Sequence, residues 1–135
     1  MSALVLEVEN ELRALEEGKI DPAAFPHREH VRLGFEMLRR HSFAEAAARF
    51  ARGLRAIAMK AGRPEVYNET ITIAFLALIG ERLALQPHKD WAQFISENRD
   101  LADKNVLERW YGRAELTSAT ARATFMLPRP VTTRV

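Results

Sequence analysis

Cysteine is absent from the 135-residue chain. Its absence excludes disulfide bonds, thiolate nucleophiles and cysteine-bound metals, so any metal ion here would need histidine, aspartate or glutamate ligands. Long hydrophobic runs are also missing. Apolar residues make up 47% of the chain but come in short periodic groups, whereas a bilayer-spanning helix needs about 20 of them in succession. We therefore expect no membrane-spanning segment.

The amino-terminal segment lacks the features of a signal peptide. Glu7 interrupts its first apolar group, and a basic start and a small-residue cleavage site are both missing. On this basis we expect a cytoplasmic protein. The net charge is only +2, from 20 basic and 18 acidic side chains, which does not favour nucleic acid as a partner.

A strict alternation of apolar and polar residues, which would indicate a half-buried strand, is missing throughout the chain. Apolar residues recur instead at steps of three and four, the spacing of amphipathic helices. The sequence therefore predicts an all-α, single-domain bundle of about five to seven helices with no sheet. This domain covers residues 1–127, and an extended, mobile tail follows over residues 128–135.

Glycine, proline and capping residues mark the predicted helix ends. The helices cover approximately residues 2–17, 26–41, 42–61, 67–85, 90–95 and 103–111, with a last turn or two from residue 117. Ser42 and Glu45 have the spacing of a capping box, in which each side chain satisfies the other residue's backbone N–H. Residues 71–79 are apolar nearly all round, which predicts that the fourth helix is the buried centre.

Two histidines lie at the start of the second predicted helix. His27 and His30 share the stripe that continues through Leu33 and Met37, so both imidazoles should face the core. Side chains three residues apart on a helix have Cβ atoms about 5–6 Å from each other. The two rings are therefore close enough to bind one metal ion or to relay one proton.

Short connections between helices predict that the second and fourth helices run in the same direction. The polar residues at the start of the fourth helix then lie in the same layer as the two histidines. A His-His-Glu set there could hold one divalent metal ion, whose open coordination position would polarise a water or a substrate oxygen. The candidate catalytic residues and metal ligands are His27, His30 and Glu69, and the candidate ligand-binding residues are Tyr67, Asn68 and Thr72.

Four short motifs occur in order along the chain: His27-x-x-His30-Val-Arg-Leu, Glu45-Ala-Ala-x-Arg49, Gly53-Leu-Arg55 and Tyr67-Asn-Glu-Thr-Ile-Thr72. Together they resemble a family of small, functionally uncharacterised bacterial helical proteins. The resemblance covers most of residues 25 to 111 and implies the fold and the place of the site, but no activity. In that family the position of Asn68 is often histidine, and an amide oxygen is a poorer ligand for zinc or iron.

Other interpretations of the same residues stay open. Taken singly, His27 and His30 are explained as buried histidines that bond a carboxylate or an amide, and Glu69 as a first-turn acid near the helix dipole. Taken together, they favour an enzyme or a small-molecule-binding protein that uses metal-assisted or acid–base chemistry. His41 and His88 lie near helix ends and are given no role.

The alternative function is a non-catalytic interaction or nucleic-acid-binding module. Arg49, Arg52 and Arg55 are spaced by three and would form a positive ridge on the third helix. Such a ridge, or a homodimer interface, would then carry the function. No aromatic residue shares this face with the arginines, since Phe50 belongs to the core stripe of the helix, and this disfavours nucleic acid.

Overall fold

The computed structural model describes residues 3–87 and 90–130. His88, Ser2 and residues 131–135 of the predicted tail lie outside the described residues. The α-helices are α1 (Ala3–Glu16), α2 (His27–Arg40), α3 (Phe43–Lys60), α4 (Glu69–Leu85), α5 (Trp91–Glu97), α6 (Arg113–Leu116) and α7 (Ala119–Ala123). Four short 3-10 helices connect them: η1 (Pro22–Ala24), η2 (Pro64–Val66), η3 (Arg99–Ala102) and η4 (Val106–Arg109).

The described part of the chain contains helices and no strand, which confirms the predicted all-α, single-domain bundle. None of the helices in residues 3–87 and 90–130 combines the length and the apolar character needed to cross a membrane.

Helix α1 packs closely on helix α3 because a glycine lies at their crossing. A Cβ atom at Gly53 would lie 2.3 Å from the carbonyl oxygen of Leu15, so a larger residue could not occupy this position without moving α1. Gly18, with φ of +67°, ends α1 in the left-handed conformation that glycine adopts without strain. The ion pair between Arg49 and Glu16, at 3.1 Å, joins the same two helices at the surface.

The predicted capping box at the start of α3 is only half formed. The hydroxyl of Ser42 accepts a hydrogen bond from the backbone N–H of Glu45 at 3.3 Å. The carboxylate of Glu45 does not return the bond but accepts one from Nε of Arg49 at 2.8 Å. The guanidinium one turn further along the helix competes for the carboxylate, and this competition explains the difference from the prediction.

Helix α4 is the centre of the bundle, as predicted, and packs against α2, α3, α7 and η4. Helices α2 and α4 run in the same direction, because later residues of one contact later residues of the other. The ring of His27 contacts Phe75, and the Cβ position of Gly80 lies 3.8 Å from the side chain of Leu38. The predicted parallel arrangement is therefore correct.

The region after α5 differs most from the prediction. The helix expected over residues 103–111 is only the single turn η4, and α6 was not predicted. The carboxylate of Asp103 accepts a hydrogen bond from the backbone N–H of Asn105 at 2.9 Å. Such local side-chain bonds compete with helix formation. The turn replaces the first part of the expected helix for this reason.

The segment after α7 returns to the central helix. The hydroxyl of Thr70 donates to the carbonyl of Thr124 at 2.8 Å and accepts from the backbone N–H of Met126 at 2.9 Å. The hydroxyl of Tyr111 donates to the carbonyl of Met126 at 2.7 Å. Thr70 is fully buried, so these bonds satisfy its hydroxyl inside the bundle.

Candidate functional site

His27 is the first residue of α2 and is anchored to a distant part of the chain. Its Nε2 atom lies 2.8 Å from the carbonyl oxygen of Leu101 in η3. A carbonyl oxygen can only accept a hydrogen bond, so Nε2 is the ring nitrogen that donates the proton. The ring also makes an edge contact with Phe75, with 4.8 Å between the centroids.

His30 lies one turn further along α2 and stacks on the ring of Phe25, with 4.0 Å between the centroids. Phe25 precedes the N-cap residue Pro26, and His30 is the fourth helical residue. The pair therefore has the positions of a hydrophobic staple, which fixes the direction from which the chain enters the helix.

The pKa of His30 is lowered to about 4, mainly by burial of the ring and also by the charge of the neighbouring His27, against the opposite effect of a backbone hydrogen bond with Phe25. The ring is therefore neutral near pH 7. A neutral imidazole has one hydrogen-bond donor and one acceptor. The bond with the Phe25 backbone uses the donor, so the other ring nitrogen remains as an acceptor for a ligand.

Two adjoining cavities lie between α2, α3 and α4, with volumes of about 410 and 350 Å³. Both volumes fall in the range of about 300–1,000 Å³ that is typical of small-molecule sites. The first cavity extends from His27 to the loop before η4, and the second extends from Phe25 to η2. The residues that line both cavities are His30, Leu54, Ile71 and Thr72.

The walls of the two cavities are mostly apolar, and their charged residues are all basic. Lys104 and Asn105 lie at the rim of the first cavity, and Arg63 and Tyr67 lie at the rim of the second. No aspartate or glutamate lines either cavity within the described residues. The site therefore combines an apolar interior with polar groups at its two ends.

Glu69 does not join the two histidines. Its carboxylate accepts hydrogen bonds from the hydroxyl of Tyr67 and from Arg55, the latter at 2.9 Å. The guanidinium of Arg55 also lies over the Tyr67 ring, 4.9 Å from its centroid. Burial, together with the bond to Glu69, raises the pKa of Tyr67. These three residues form a surface cluster that neutralises the carboxylate.

The expected metal centre of His27, His30 and Glu69 is not assembled. Among residues 3–87 and 90–130 there is no group of three or more histidine, aspartate or glutamate side chains that could hold a metal ion. The bonds of these side chains explain the difference from the prediction. The Glu69 carboxylate is bound by Arg55 and Tyr67, whereas the His27 ring is bonded to the Leu101 carbonyl.

Asn68 and Thr72 line the cavity but also have structural partners. The side chain of Asn68 caps α4 by accepting from the backbone N–H of Ile71 at 2.9 Å, and it donates to the carbonyl of Leu116 at 2.7 Å. The hydroxyl of Thr72 donates to the carbonyl of Asn68 at 2.8 Å. The Thr72 oxygen keeps a lone pair for a ligand, whereas both polar ends of the Asn68 amide are occupied.

Sequence reasoning did not identify several residues of this site. Phe25 could have been found, because an aromatic residue before the N-cap and His30 at the fourth helical position have the spacing of a staple. No comparable spacing in the sequence indicated Lys104, Asn105 and Leu101. They belong to irregular turns after α5, and their approach to α2 depends on the packing of the whole bundle.

The basic ridge expected on α3 is largely neutralised. Arg49 pairs with Glu45 and Glu16, and Arg55 pairs with Glu69. Arg52 is exposed and, within the described residues, makes no ion pair. A single unpaired arginine does not provide the series of phosphate contacts on which nucleic-acid affinity depends.

A larger groove, of about 720 Å³, lies near the other end of α2 and α4, beside Leu38, Phe43 and Gly80. Its charged lining residues, Arg39 and Glu81, have opposite signs, and it contains no imidazole within the described chain. The two cavities beside His30 are therefore the better candidate site, although each is smaller.

Comparison with known proteins adds no independent information, since neither a protein family, nor a curated protein sequence, nor a solved structure was found to match this chain.

Proposed function

We propose that this protein binds a small, mainly apolar molecule in the two cavities between α2, α3 and α4. The observation that carries the proposal is the position of His30. Its neutral ring lies in the wall common to both cavities, among Leu54, Ile71 and Thr72. An apolar cavity with a few convergent polar groups is the usual form of a small-molecule site.

The environment of the two histidines favours binding over acid–base catalysis. A general base works best with a pKa near the working pH, and burial holds the pKa of His30 at about 4. The Nε2 proton of His27 is bonded to the Leu101 carbonyl. Both rings are therefore suited to orient a bound molecule by hydrogen bonds rather than to transfer its protons.

The alternative of a nucleic-acid or protein-interaction module on the α3 ridge receives less support. Arg49 and Arg55 are already paired with carboxylates of this chain. The cytoplasmic location expected from the sequence, the resemblance to bacterial helical proteins and a homodimer interface all stay predictions.

The binding proposal is tested by reducing the cavity volume. Leu54 lines both cavities, so Leu54→Phe should lower the affinity for an apolar probe such as decan-1-ol. Met59→Phe adds an aromatic ring to the same helix at a residue that is 68% exposed and lines neither cavity, and it serves as the matched control.

Isothermal calorimetry measures the affinity of the wild type and of both variants for decan-1-ol. We expect weaker binding only in Leu54→Phe, while both proteins keep the wild-type circular dichroism spectrum. Equal affinity in wild type and both variants, or no binding to the wild type, would reject the cavities as the binding site.

A further inference from the structure

The charges around the two cavities are distributed unevenly. Among the described residues that line the first cavity, Lys104 is the only lysine or arginine, and no aspartate or glutamate accompanies it. The second cavity has Arg63 as its charged lining residue, and Arg63 pairs with Glu65 at 3.8 Å. Within the described residues, one cationic group without an acidic partner therefore lies at the rim of the first cavity.

Lys104 has no polar partner in the part of the chain that the structure describes. Its ammonium group makes no hydrogen bond and no ion pair with any residue in the described ranges 3–87 and 90–130. Other cationic side chains around the core are paired, such as Arg32 with Glu29 at 2.8 Å and Arg82 with Asp100 at 2.7 Å. Folding thus pairs these two arginines with carboxylates and leaves the Lys104 ammonium available at the cavity rim.

Asn105 stands beside Lys104 at the same rim. Its backbone N–H is bonded to the Asp103 carboxylate, but its side-chain amide makes no hydrogen bond within the described residues. An ammonium group and an amide N–H₂ are both donors. Together they suit one carboxylate, which accepts several hydrogen bonds and becomes more strongly bound when one donor is charged.

We infer that the bound molecule is an amphiphilic monoanion, with a carboxylate at Lys104 and Asn105 and an apolar chain that runs past His30 between α2, α3 and α4. This inference rests on the proposed binding function and adds the class of ligand to it. The apolar chain would contact Leu54, Ile71 and Leu76, which line the first cavity.

The test compares two probes that differ only in their head group. Decanoate and decan-1-ol have the same chain length, and their dissociation constants are measured by isothermal calorimetry at pH 7.5 and low salt. We expect decanoate to bind the wild type about tenfold more tightly, since hydrogen bonds to charged groups are among the stronger polar contacts. Added salt should weaken decanoate more than the alcohol.

Three charge-removing variants identify the group responsible. Lys104→Gln should remove the preference for decanoate, so that this variant binds the two probes with equal affinity. Arg63→Gln removes a charge at the second cavity, and Arg52→Gln removes a surface charge away from both cavities. Both controls should keep the preference.

Each outcome decides one question. Equal affinity for the two probes, or a preference that survives Lys104→Gln, overturns the inference about the anion but leaves the binding function in place. Loss of the preference in Arg63→Gln rather than in Lys104→Gln also overturns it, because the carboxylate would then lie at the other end. If the wild type binds neither probe, the binding function itself fails.

Discussion

The ring of His27, at the start of α2, is hydrogen-bonded to the carbonyl oxygen of Leu101, 74 residues further along the chain, with 2.8 Å between Nε2 and the oxygen. Leu101 is fully buried, and its carbonyl oxygen is bonded to this ring. This bond connects the helix that carries both imidazoles to the turns that carry Lys104 and Asn105. The geometry of the whole candidate site therefore depends on it.

Replacing His27 with alanine should leave the Leu101 carbonyl unpaired in the core. We expect the free energy of unfolding to fall by roughly 1–3 kcal/mol, the usual cost of an unsatisfied buried polar group. Urea unfolding followed by circular dichroism measures the change. His41→Ala, at the end of the same helix, is the control and should change stability by no more than about 0.5 kcal/mol. Equal effects of the two substitutions would contradict the role given to the bond.

Arg82 holds the turn that presents the Leu101 carbonyl. Its guanidinium binds both carboxylate oxygens of Asp100, with 2.7 Å from one nitrogen to Oδ2, and both side chains are about three-quarters buried. Arg82→Ala should therefore cost about 1 kcal/mol and speed amide hydrogen exchange in residues 99–102. Arg113→Ala removes an ion pair to Glu108 in which the arginine is 77% exposed, and it should cost less than about 0.5 kcal/mol. Unchanged exchange in Arg82→Ala would show that η3 is held by other contacts.

The lowered pKa of His30 makes the fold sensitive to acid. The pKa is 6.5 for an unperturbed histidine and about 4 in the folded protein, so the unfolded chain binds a proton first as the pH falls. The contribution of the neutral His30 ring to the free energy of unfolding is therefore fully present above pH 6.5. It is lost as the pH falls from 6.5 to 4, by up to about 3 kcal/mol at 1.36 kcal/mol per pKa unit.

Urea unfolding at several pH values tests this dependence. The loss of stability between pH 6.5 and 4 should be much smaller in His30→Gln than in the wild type. His41→Gln should keep the wild-type dependence of stability on pH. Carboxylates such as Asp100, whose pKa is also lowered by its bond to Arg82, act equally in all three proteins. If the free energy of unfolding changes with pH in the same way in the wild type and in His30→Gln, the burial assigned to the ring is contradicted.

Asn68 joins the start of α4 to α6 through its two polar atoms. Asn68→Ala removes both the cap on Ile71 and the bond to Leu116, and we expect a loss of roughly 1–2 kcal/mol. Asn68→Ser keeps an oxygen for the cap but is too short to reach Leu116, so thermal unfolding should show a smaller loss. If serine and alanine destabilise equally, the cap contributes little and the bond to Leu116 accounts for the effect.

The sequence predicted most of the architecture because that information is local. Periodicity and helix-end residues located α1 to α4, and short connections gave the parallel direction of α2 and α4. They also predicted that His27 and His30 point inward, and both rings do line the first cavity.

The composition of the site could not be predicted in the same way. Whether Glu69 faces the histidines depends on the register of α2 against α4 and on the competition of Arg55 and Tyr67 for its carboxylate. The approach of Lys104 depends on turns whose path is set by contacts with distant residues, such as the bond between Arg82 and Asp100. Neither effect leaves a periodic pattern in the sequence.

If a small apolar molecule occupies the cavities beside His30, bound decan-1-ol should show nuclear Overhauser effects to an isotope-labelled protein there. We expect cross-peaks from the alkyl chain to the His30 ring and to the methyl groups of Leu54 and Ile71. Cross-peaks confined to exposed apolar side chains such as Leu4, Leu6 and Leu85, which are 52–79% exposed, would contradict it.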